Sequence, residues 1–132
     1  MQLSVSKIEA LRELLATPQS IVILSHTNPD GDAVGSSLAW AEILRKKGHE
    51  VTCILPNRYP YYLDFMPDIS SVVIFKNDDK GAAKEALKRA DIIFCLDFHL
   101  LSRLEQLGEL IDENQHAKRV LIDHHLDPSE DF

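Results

Sequence analysis

The chain has 132 residues, which is enough for one domain. It is 45% hydrophobic and 27% charged, and this composition excludes a disordered segment because it supplies the apolar side chains of a core. The net charge of −7 argues against binding long duplex nucleic acid by broad phosphate neutralisation, but it allows a short anionic substrate held through metal ions.

Hydrophobic periodicity and turn residues divide the chain into alternating helices and strands. In chain order we predict a helix over Ser4–Thr17, a strand over Ser20–Ser25, a helix over Ala33–Lys47 ended by Gly48, strands over His49–Leu55 and Ser71–Phe75, a helix over Asp78–Ala90, a strand over Asp91–Leu96, a helix over His99–Asn114 and a strand over Arg119–Ile122. This alternation predicts an α/β fold, with a parallel, about five-stranded Rossmann-like sheet covered by helices on both faces.

Three features bear on the cellular compartment. The two cysteines, Cys53 and Cys95, lie in apolar segments and form no CxxC pair, so we expect buried, reduced thiols. The amino terminus lacks the apolar core and cleavage site of a secretory signal. No apolar run approaches the ~18 residues of a membrane span. These features favour a cytoplasmic protein that does not bind a membrane.

Aspartate and histidine residues follow three of the predicted strands. They are His26, Asp30 and Asp32 after the first strand, Asp97 and His99 after the fourth, and Asp123, His124 and His125 after the fifth. Ligands of open α/β sheets bind outside the carboxyl ends of the strands, so these side chains are expected at one edge. Clustered carboxylates repel each other unless cations lie between them, and the cluster therefore predicts divalent metal ions.

The residue types also indicate which metal is bound. Imidazole and carboxylate ligands without thiolate fit Mn²⁺ best; Co²⁺, Fe²⁺ or Zn²⁺ could take its place, and Mg²⁺ fits less well. The set is large enough for two ions that share one carboxylate. Between two such ions, ~3.5–4 Å apart, a water loses a proton easily and attacks phosphorus.

Each motif taken alone also has a purely structural interpretation. Asn28, Pro29 and Gly31 are ordinary turn residues, and Asp97 could cap a helix. The histidine pair could lie on the surface, and His99 could either reach substrate or begin a solvated helix. Three such coincidences at one sheet edge are improbable, and the joint pattern favours a metal site.

The loop after the second strand carries several aromatic residues. Pro56–Asp68 is predicted to form a loop with a short helical turn, and it contains Arg58, Tyr59, Tyr61 and Tyr62. These side chains could stack on a base or hold a phosphate, but we favour packing within the loop. Elsewhere, His49 is expected at the surface or at the edge of the core.

The three motifs resemble those of the DHH phosphoesterase superfamily, which is named for the triplet that stands here as Asp123-His124-His125. The first motif stands as His-Thr-Asn-Pro-Asp-Gly-Asp from His26, and the second as Asp97 in Leu-Asp-Phe-His. The resemblance covers most of the chain. It implies a metal-dependent phosphohydrolase, either a phosphodiesterase or a phosphatase.

Carried over by position, the resemblance also implies roles for individual residues. One Mn²⁺ would be bound by His26, Asp30 and Asp97, and the second by Asp32, Asp97 and His124, so that Asp97 bridges the two ions. His125 would contact the substrate phosphate or assist the leaving group. Asp123 would orient the neighbouring histidine, as carboxylates behind metal-bound imidazoles do.

Members of the superfamily carry a fourth motif, whose aspartate completes the second metal site, and a smaller carboxy-terminal domain that grips the substrate. Neither follows the triplet here, since the sequence reaches Phe132 a few residues later. The resemblance therefore implies that residues 1–132 are an incomplete DHH catalytic domain, the amino-terminal part of a longer enzyme. We expect weak or no activity from them alone.

The helical segment LAWAEILRKKGH resembles the branch of bifunctional oligoribonucleases and 3′-phosphoadenosine-5′-phosphate phosphatases. That branch implies exonuclease or phosphatase activity on a short oligonucleotide or a nucleotide. The alternatives are a family II-like inorganic pyrophosphatase and a cyclic-dinucleotide phosphodiesterase. A non-enzymatic alternative is an inactive metal- or nucleotide-binding domain. A homodimer is left open.

Overall fold

The computed structural model describes residues 5–25, 31–55, 59–66, 69–75, 81–96, 114 and 117–122. Its helices and strands, in chain order, are α1 (Val5–Leu14), β1 (Ser20–Leu24), α2 (Gly31–Lys46), β2 (Glu50–Leu55), β3 (Val73–Ile74), α3 (Ala82–Arg89), β4 (Ile92–Leu96) and β5 (Lys118–Ile122). Two single-turn 3₁₀ helices, Tyr61–Leu63 and Ile69–Ser71, lie between β2 and β3.

The five strands form one sheet in the order β3-β2-β1-β4-β5, and every pair of neighbours is parallel. Parallel strands are buried on both faces, and for this reason β1 reads as the unbroken apolar run Ile-Val-Ile-Leu. The predicted α/β fold with a parallel five-stranded sheet is therefore confirmed.

Successive residues of the central strands point into two apolar layers. On one face Ile21, Ile23 and Phe94 pack with residues of α1 and α2, and the Trp40 ring meets Phe94 edge-on at 5.4 Å between ring centroids. On the other face Val22 packs with α3. Burying one such side chain stabilises the fold by roughly 1.5–3 kcal/mol. Helices on both faces of the sheet, as predicted, supply these layers.

Several element boundaries differ from those predicted, and helix α1 ends at Leu14, before the predicted Thr17. Helix α2 begins at Gly31, two residues before the predicted Ala33. Strand β3 is limited to Val73–Ile74, because only these two residues pair with β2, and Ser71 belongs to the preceding 3₁₀ turn. A two-residue edge strand has too few positions for a strand pattern to define its ends.

Two glycines mark helix boundaries by adopting the left-handed conformation that favours glycine. Gly48, with φ 93°, follows the last turn of α2 as predicted. Gly81, with φ 72°, precedes α3, which begins at Ala82, whereas a start at Asp78 was predicted. Residues 78–80 and the predicted helix over 99–113 lie outside the described residues.

Among the described residues, none of the helices combines the length and the apolar content that crossing a bilayer requires.

Candidate functional site

The order of the strands reverses at β1. From β1 the chain first adds β2 and β3 on one side, and it then returns to add β4 and β5 on the other side. In open parallel sheets, ligands bind in the crevice outside the carboxyl ends of the strands where the order reverses. The crevice between β1 and β4 is therefore the candidate functional site.

Strands β1, β4 and β5 reach this edge at the same level. Leu24 pairs with Cys95, and Cys95 pairs in turn with Leu121, so these three residues form one row across the adjacent strands. Each of the three predicted motifs begins the same number of residues after this row. The residues two positions further along the sequence are His26, Asp97 and Asp123.

The described residues include the strand ends but few of the predicted site residues. Asp32 lies in the first turn of α2, where its backbone is described. The other predicted site residues lie outside the described residues: His26, Asp30, Asp97, His99, Asp123, His124 and His125. Within the described ranges, no three histidine, cysteine, aspartate or glutamate side chains converge to hold an ion. The structure thus brings together the strands that lead into the three motifs, and the ligand assignments stay predictions.

Ser25 is a functional candidate that the sequence analysis missed. It directly follows β1 and precedes His26, and it is fully buried. Its Oγ atom finds no hydrogen-bond partner within the described part of the chain. An unsatisfied buried hydroxyl costs roughly 1–3 kcal/mol, so polar groups of this kind need an explanation. Its signal in the sequence is a hydroxyl residue at the end of the apolar run.

The thiols near the site do not contribute metal ligands. Burial raises the pKa of Cys53 to about 11, and Arg45 offsets this rise in part. Burial raises the pKa of Cys95 further, and Arg119 opposes that rise. Both cysteines are free and buried, as predicted, and protonated thiols are poor ligands. The donors predicted for the crevice are therefore imidazoles and carboxylates, a set that would fit Mn²⁺ and similar divalent ions.

The segment after β2 packs against the beginning of α2. Leu63 is buried in a cluster with Val34, Leu38 and Leu55, and a Cβ atom added to Gly31 would lie 3.7 Å from Leu63 Cδ2. This contact puts the segment beside the first turn of α2, which contains the last two residues of the first motif, Gly31 and Asp32. The 3₁₀ turn confirms the helical turn predicted in this loop.

The aromatic residues of this segment differ in how far they are exposed to solvent. Tyr59 is partly buried against the Leu63 cluster, as predicted. The interpretation of Tyr61 and Tyr62 as packing residues is wrong, since they are 81% and 62% exposed. Phe65, which the sequence analysis did not single out, is 78% exposed. Arg58 lies outside the described residues.

Several polar groups at the amino edge of the sheet are paired with one another, although the Nε2 atom of His49 has no partner among the described residues. His49 is buried there, and its Nδ1 accepts a hydrogen bond from the backbone N–H of Gln19 at 3.1 Å. The Ser20 N–H donates to an Asp91 carboxylate oxygen at 2.9 Å. Asn114 donates to the carbonyls of the last residues of α3 and accepts from the Ala117 N–H. Of the two positions predicted for His49, the edge of the core is confirmed.

Comparison with known proteins identifies a family. Residues 20–132 match the family model described as the DHH family, N-terminal domain. The chain is 31% identical over 113 residues to the bifunctional oligoribonuclease and PAP phosphatase NrnA of Mycoplasma genitalium, a match that covers 84% of this chain and 31% of that protein. It is 26% identical over 99 residues to a probable manganese-dependent inorganic pyrophosphatase of Oceanobacillus iheyensis, covering 64% of this chain and 32% of that protein.

A solved structure has the same fold. The crystal structure of an exopolyphosphatase-related protein from Bacteroides fragilis superposes with a TM-score of 0.90 at 31% identity, covering 96% of this chain and 37% of that one. The chain spans about a third of the length of the curated relatives it matches.

Proposed function

The chain belongs to the DHH family, and from this membership we propose that the protein is a Mn²⁺-dependent phosphoesterase that hydrolyses short oligoribonucleotides and 3′-phosphoadenosine 5′-phosphate. The observation that carries the proposal is the common level of β1, β4 and β5 at the strand reversal, two residues before His26, Asp97 and Asp123. Three chain segments rich in acid and imidazole therefore leave adjacent strands at the edge where such sheets bind ligands.

The choice of substrate is supported by the relatives. The Mycoplasma genitalium protein, which is named an oligoribonuclease and PAP phosphatase, is similar over a larger share of this chain than the pyrophosphatase is. The net charge of −7 suits a short substrate whose phosphates are neutralised locally. Mn²⁺ is supported by the donor set and by the name of the Oceanobacillus iheyensis relative.

The proposed roles follow the three motifs. His26, Asp30 and Asp97 would hold one ion, and Asp32, Asp97 and His124 the other. Such ions, when bound, hold phosphoryl oxygens and lower the pKa of water. His125 would donate a hydrogen bond to the substrate phosphate or a proton to the leaving oxygen, and Asp123 would fix the orientation of the adjacent imidazole.

Inorganic pyrophosphatase is the second candidate, and the similarity to the Oceanobacillus iheyensis protein favours it. A cyclic-dinucleotide phosphodiesterase would use the same ligand set, and an inactive nucleotide-binding domain would keep the fold without turnover. These candidates differ in the substrate that the crevice accepts, so a single panel of substrates separates them.

The test uses the full-length protein with Mn²⁺. Hydrolysis of di- to pentanucleotides, 3′-phosphoadenosine 5′-phosphate, a cyclic dinucleotide and pyrophosphate is measured under identical conditions. We expect the highest kcat/KM for the short oligonucleotides or for 3′-phosphoadenosine 5′-phosphate. A preference for pyrophosphate or for the cyclic dinucleotide would replace the proposal with that alternative, and no turnover of any substrate would favour the binding domain.

The activity of residues 1–132 by themselves is tested in the same panel. We propose that residues 1–132 alone are weakly active or inactive, and that Mn²⁺ binds to them less tightly than to the full-length protein. Turnover by residues 1–132 at the rate of the full-length protein would contradict this proposal.

A further inference from the structure

Three aromatic side chains on the segment after β2 stand out from the surface. Tyr61, Tyr62 and Phe65, which we call the aromatic turn, are the most exposed large hydrophobic residues in the described part of the chain, at 62–81%. Aromatic side chains bury 150–250 Å² each when they are covered, so this exposure leaves a large apolar contact area unused. Tyr61 and Tyr62 meet edge-on, with 6.0 Å between ring centroids.

The backbone beneath these rings is fixed. Leu63, between them in sequence, is buried against Val34 and Leu38 of α2. Successive hydrogen bonds tie the segment, from the Leu63 N–H to the Pro60 carbonyl at 3.0 Å and from the Met66 N–H to the Leu63 carbonyl at 3.0 Å. The aromatic turn is thus a preorganised surface, which costs little entropy to use in binding.

The aromatic turn lies next to the candidate site. Strand β2 neighbours β1, and Ile54 is level with Leu24, so the chain leaves both strands at the same edge. The contact of Leu63 with Gly31 puts the segment against the first turn of α2, the turn that contains Asp32. The aromatic turn and the crevice therefore lie at the same edge of the sheet, on the two sides of the start of α2.

We propose that the aromatic turn stacks on a nucleobase of the substrate and thereby selects nucleotides over base-free phosphates. This inference rests on the proposed function. Stacking on aromatic rings needs no charge and tolerates any base, which suits an acidic chain that must hold an anionic substrate. Two of the three residues are tyrosines, whose hydroxyl tips stay hydrated while their faces are apolar.

A protein partner fits this surface less well. The cores of protein interfaces are depleted in charged residues, whereas Asp64 is exposed within the aromatic turn. A nucleobase covers one or two rings and leaves such a carboxylate in water. The exposed carboxylate therefore favours a small planar occupant over a second copy of the chain.

The test compares substrates with and without bases. In the full-length protein with Mn²⁺, the double variant Tyr61→Ala/Tyr62→Ala should lower kcat/KM for a ribodinucleotide by roughly 5- to 100-fold, the effect of losing one stacked base. Its kcat/KM for an abasic dinucleotide should stay at the wild-type value. The double variant Tyr61→Phe/Tyr62→Phe keeps the rings and should restore turnover of the ribodinucleotide.

Ile43→Ala is the matched control, because Ile43 is an exposed apolar residue (46%) on the same helix that supports the aromatic turn. Its kcat/KM should equal the wild-type value for both substrates. Affinity is measured independently by calorimetry, with a dinucleotide whose scissile oxygen is replaced by methylene, and the loss in the alanine variant should match the kinetic loss. Both substituted tyrosines are exposed, so thermal stability should be unchanged.

The failure of this inference is distinguishable from that of the proposed function. If the wild-type protein turns over nucleotides but the alanine substitutions leave kcat/KM for the ribodinucleotide unchanged, or lower kcat/KM for the ribodinucleotide and the abasic dinucleotide by the same factor, the stacking role is wrong and the phosphoesterase proposal stands. A change in oligomeric state with unchanged kinetics would instead make the aromatic turn a protein interface and would also overturn the inference. If no phosphoester is hydrolysed, the proposed function fails, and the calorimetric comparison still decides whether the rings bind a base.

Discussion

The two edges of the sheet use their polar residues in opposite ways. At the amino edge, Ser20 and Asp91 exchange hydrogen bonds and Asn114 ties α3 to the start of β5. At the carboxyl edge, Ser25 is buried with an unpaired hydroxyl among the described residues, and aromatic rings face solvent. The amino edge thus holds several polar groups that satisfy each other, although His49 Nε2 is buried there without a partner among the described residues, and the carboxyl edge presents a buried hydroxyl and exposed aromatic rings. The contrast indicates that the amino edge supports stability and the carboxyl edge supports function.

The largest expected effect is on the carboxyl edge. Asp97→Ala should lower kcat by more than about 100-fold, because even residues that only support metal ligands cost 10–100-fold when changed. In the metal-free protein the free energy of unfolding should not fall, since a mutually repulsive carboxylate is removed. Steady-state kinetics and denaturant unfolding of the full-length protein measure these two quantities, and metal analysis gives the number of bound ions.

Asp64→Ala, which removes an exposed carboxylate from the segment after β2, is the control for Asp97→Ala and should retain both ions. Two bound Mn²⁺ in the Asp97→Ala protein would contradict the bridging role of this residue.

The amino edge should show the reverse behaviour. Asn114→Ala removes three hydrogen bonds in a buried setting, with Leu87, Ala90 and Ala117. We expect the free energy of unfolding to fall by about 2–3 kcal/mol, because the carbonyls lose their donor without gaining water. The kcat/KM of the folded enzyme should be unchanged. Asn114→Asp keeps the acceptor for the Ala117 N–H, and its free energy of unfolding should lie between those of the wild type and Asn114→Ala. A large loss of kcat/KM in either variant would contradict the assignment of stability to the amino edge and function to the carboxyl edge.

The core between the edges should give a pH dependence. The folded protein holds the pKa of Cys53 at about 11, above its ordinary value of 9.0, so the unfolded chain releases this proton first as pH rises. Stability from this thiol is fully present below about pH 9 and is lost as pH approaches about 11, by up to roughly 2–3 kcal/mol. Unfolding free energies from pH 7 to 11 should fall less steeply in Cys53→Ala, and an unchanged slope would contradict the assignment.

The smallest effects have opposite signs at the two edges. Ser25→Ala removes a buried hydroxyl without a partner in the described structure, and we expect unchanged stability or a gain of up to about 1 kcal/mol. Asp91→Ala removes the acceptor of the Ser20 N–H, and a loss of about 0.5–1.5 kcal/mol is expected. Chemical denaturation compares the two variants directly. A clear loss of stability in Ser25→Ala would mean that its hydroxyl bonds to the segment that carries His26.

The sequence was sufficient for the fold class and for the order of the motifs. Unbroken apolar runs such as Ile21–Leu24 identify strands buried on both faces, and the turn residues between them set the spacing of the helices. The start of α2 at Gly31 was missed, because the turn residues around it are as common in loops as at the start of a helix. Strand β3 was overextended because pairing with β2, and no local pattern, defines its two residues.

The rest depended on tertiary contacts. The bond between Ser20 and Asp91 joins residues 71 positions apart, and only the strand order brings them together. The exposure of Tyr61 and Tyr62 likewise follows from which side of the turn Leu63 buries, a choice that one helical turn of sequence does not reveal. The Ser25 hydroxyl acquired significance only once its burial was known.

The central position of β1 also has a consequence for how the chain folds. Its neighbour β2 is available soon after synthesis, but its other neighbour, β4, lies some seventy residues later, beyond β2, β3 and α3. Until the ribosome has released β4, one side of the apolar run Ile21–Leu24 has no partner strand. Closing so long a loop is slow, and an unpaired strand edge is prone to aggregation in the meantime. The strand reversal that creates the crevice therefore also delays the completion of the sheet.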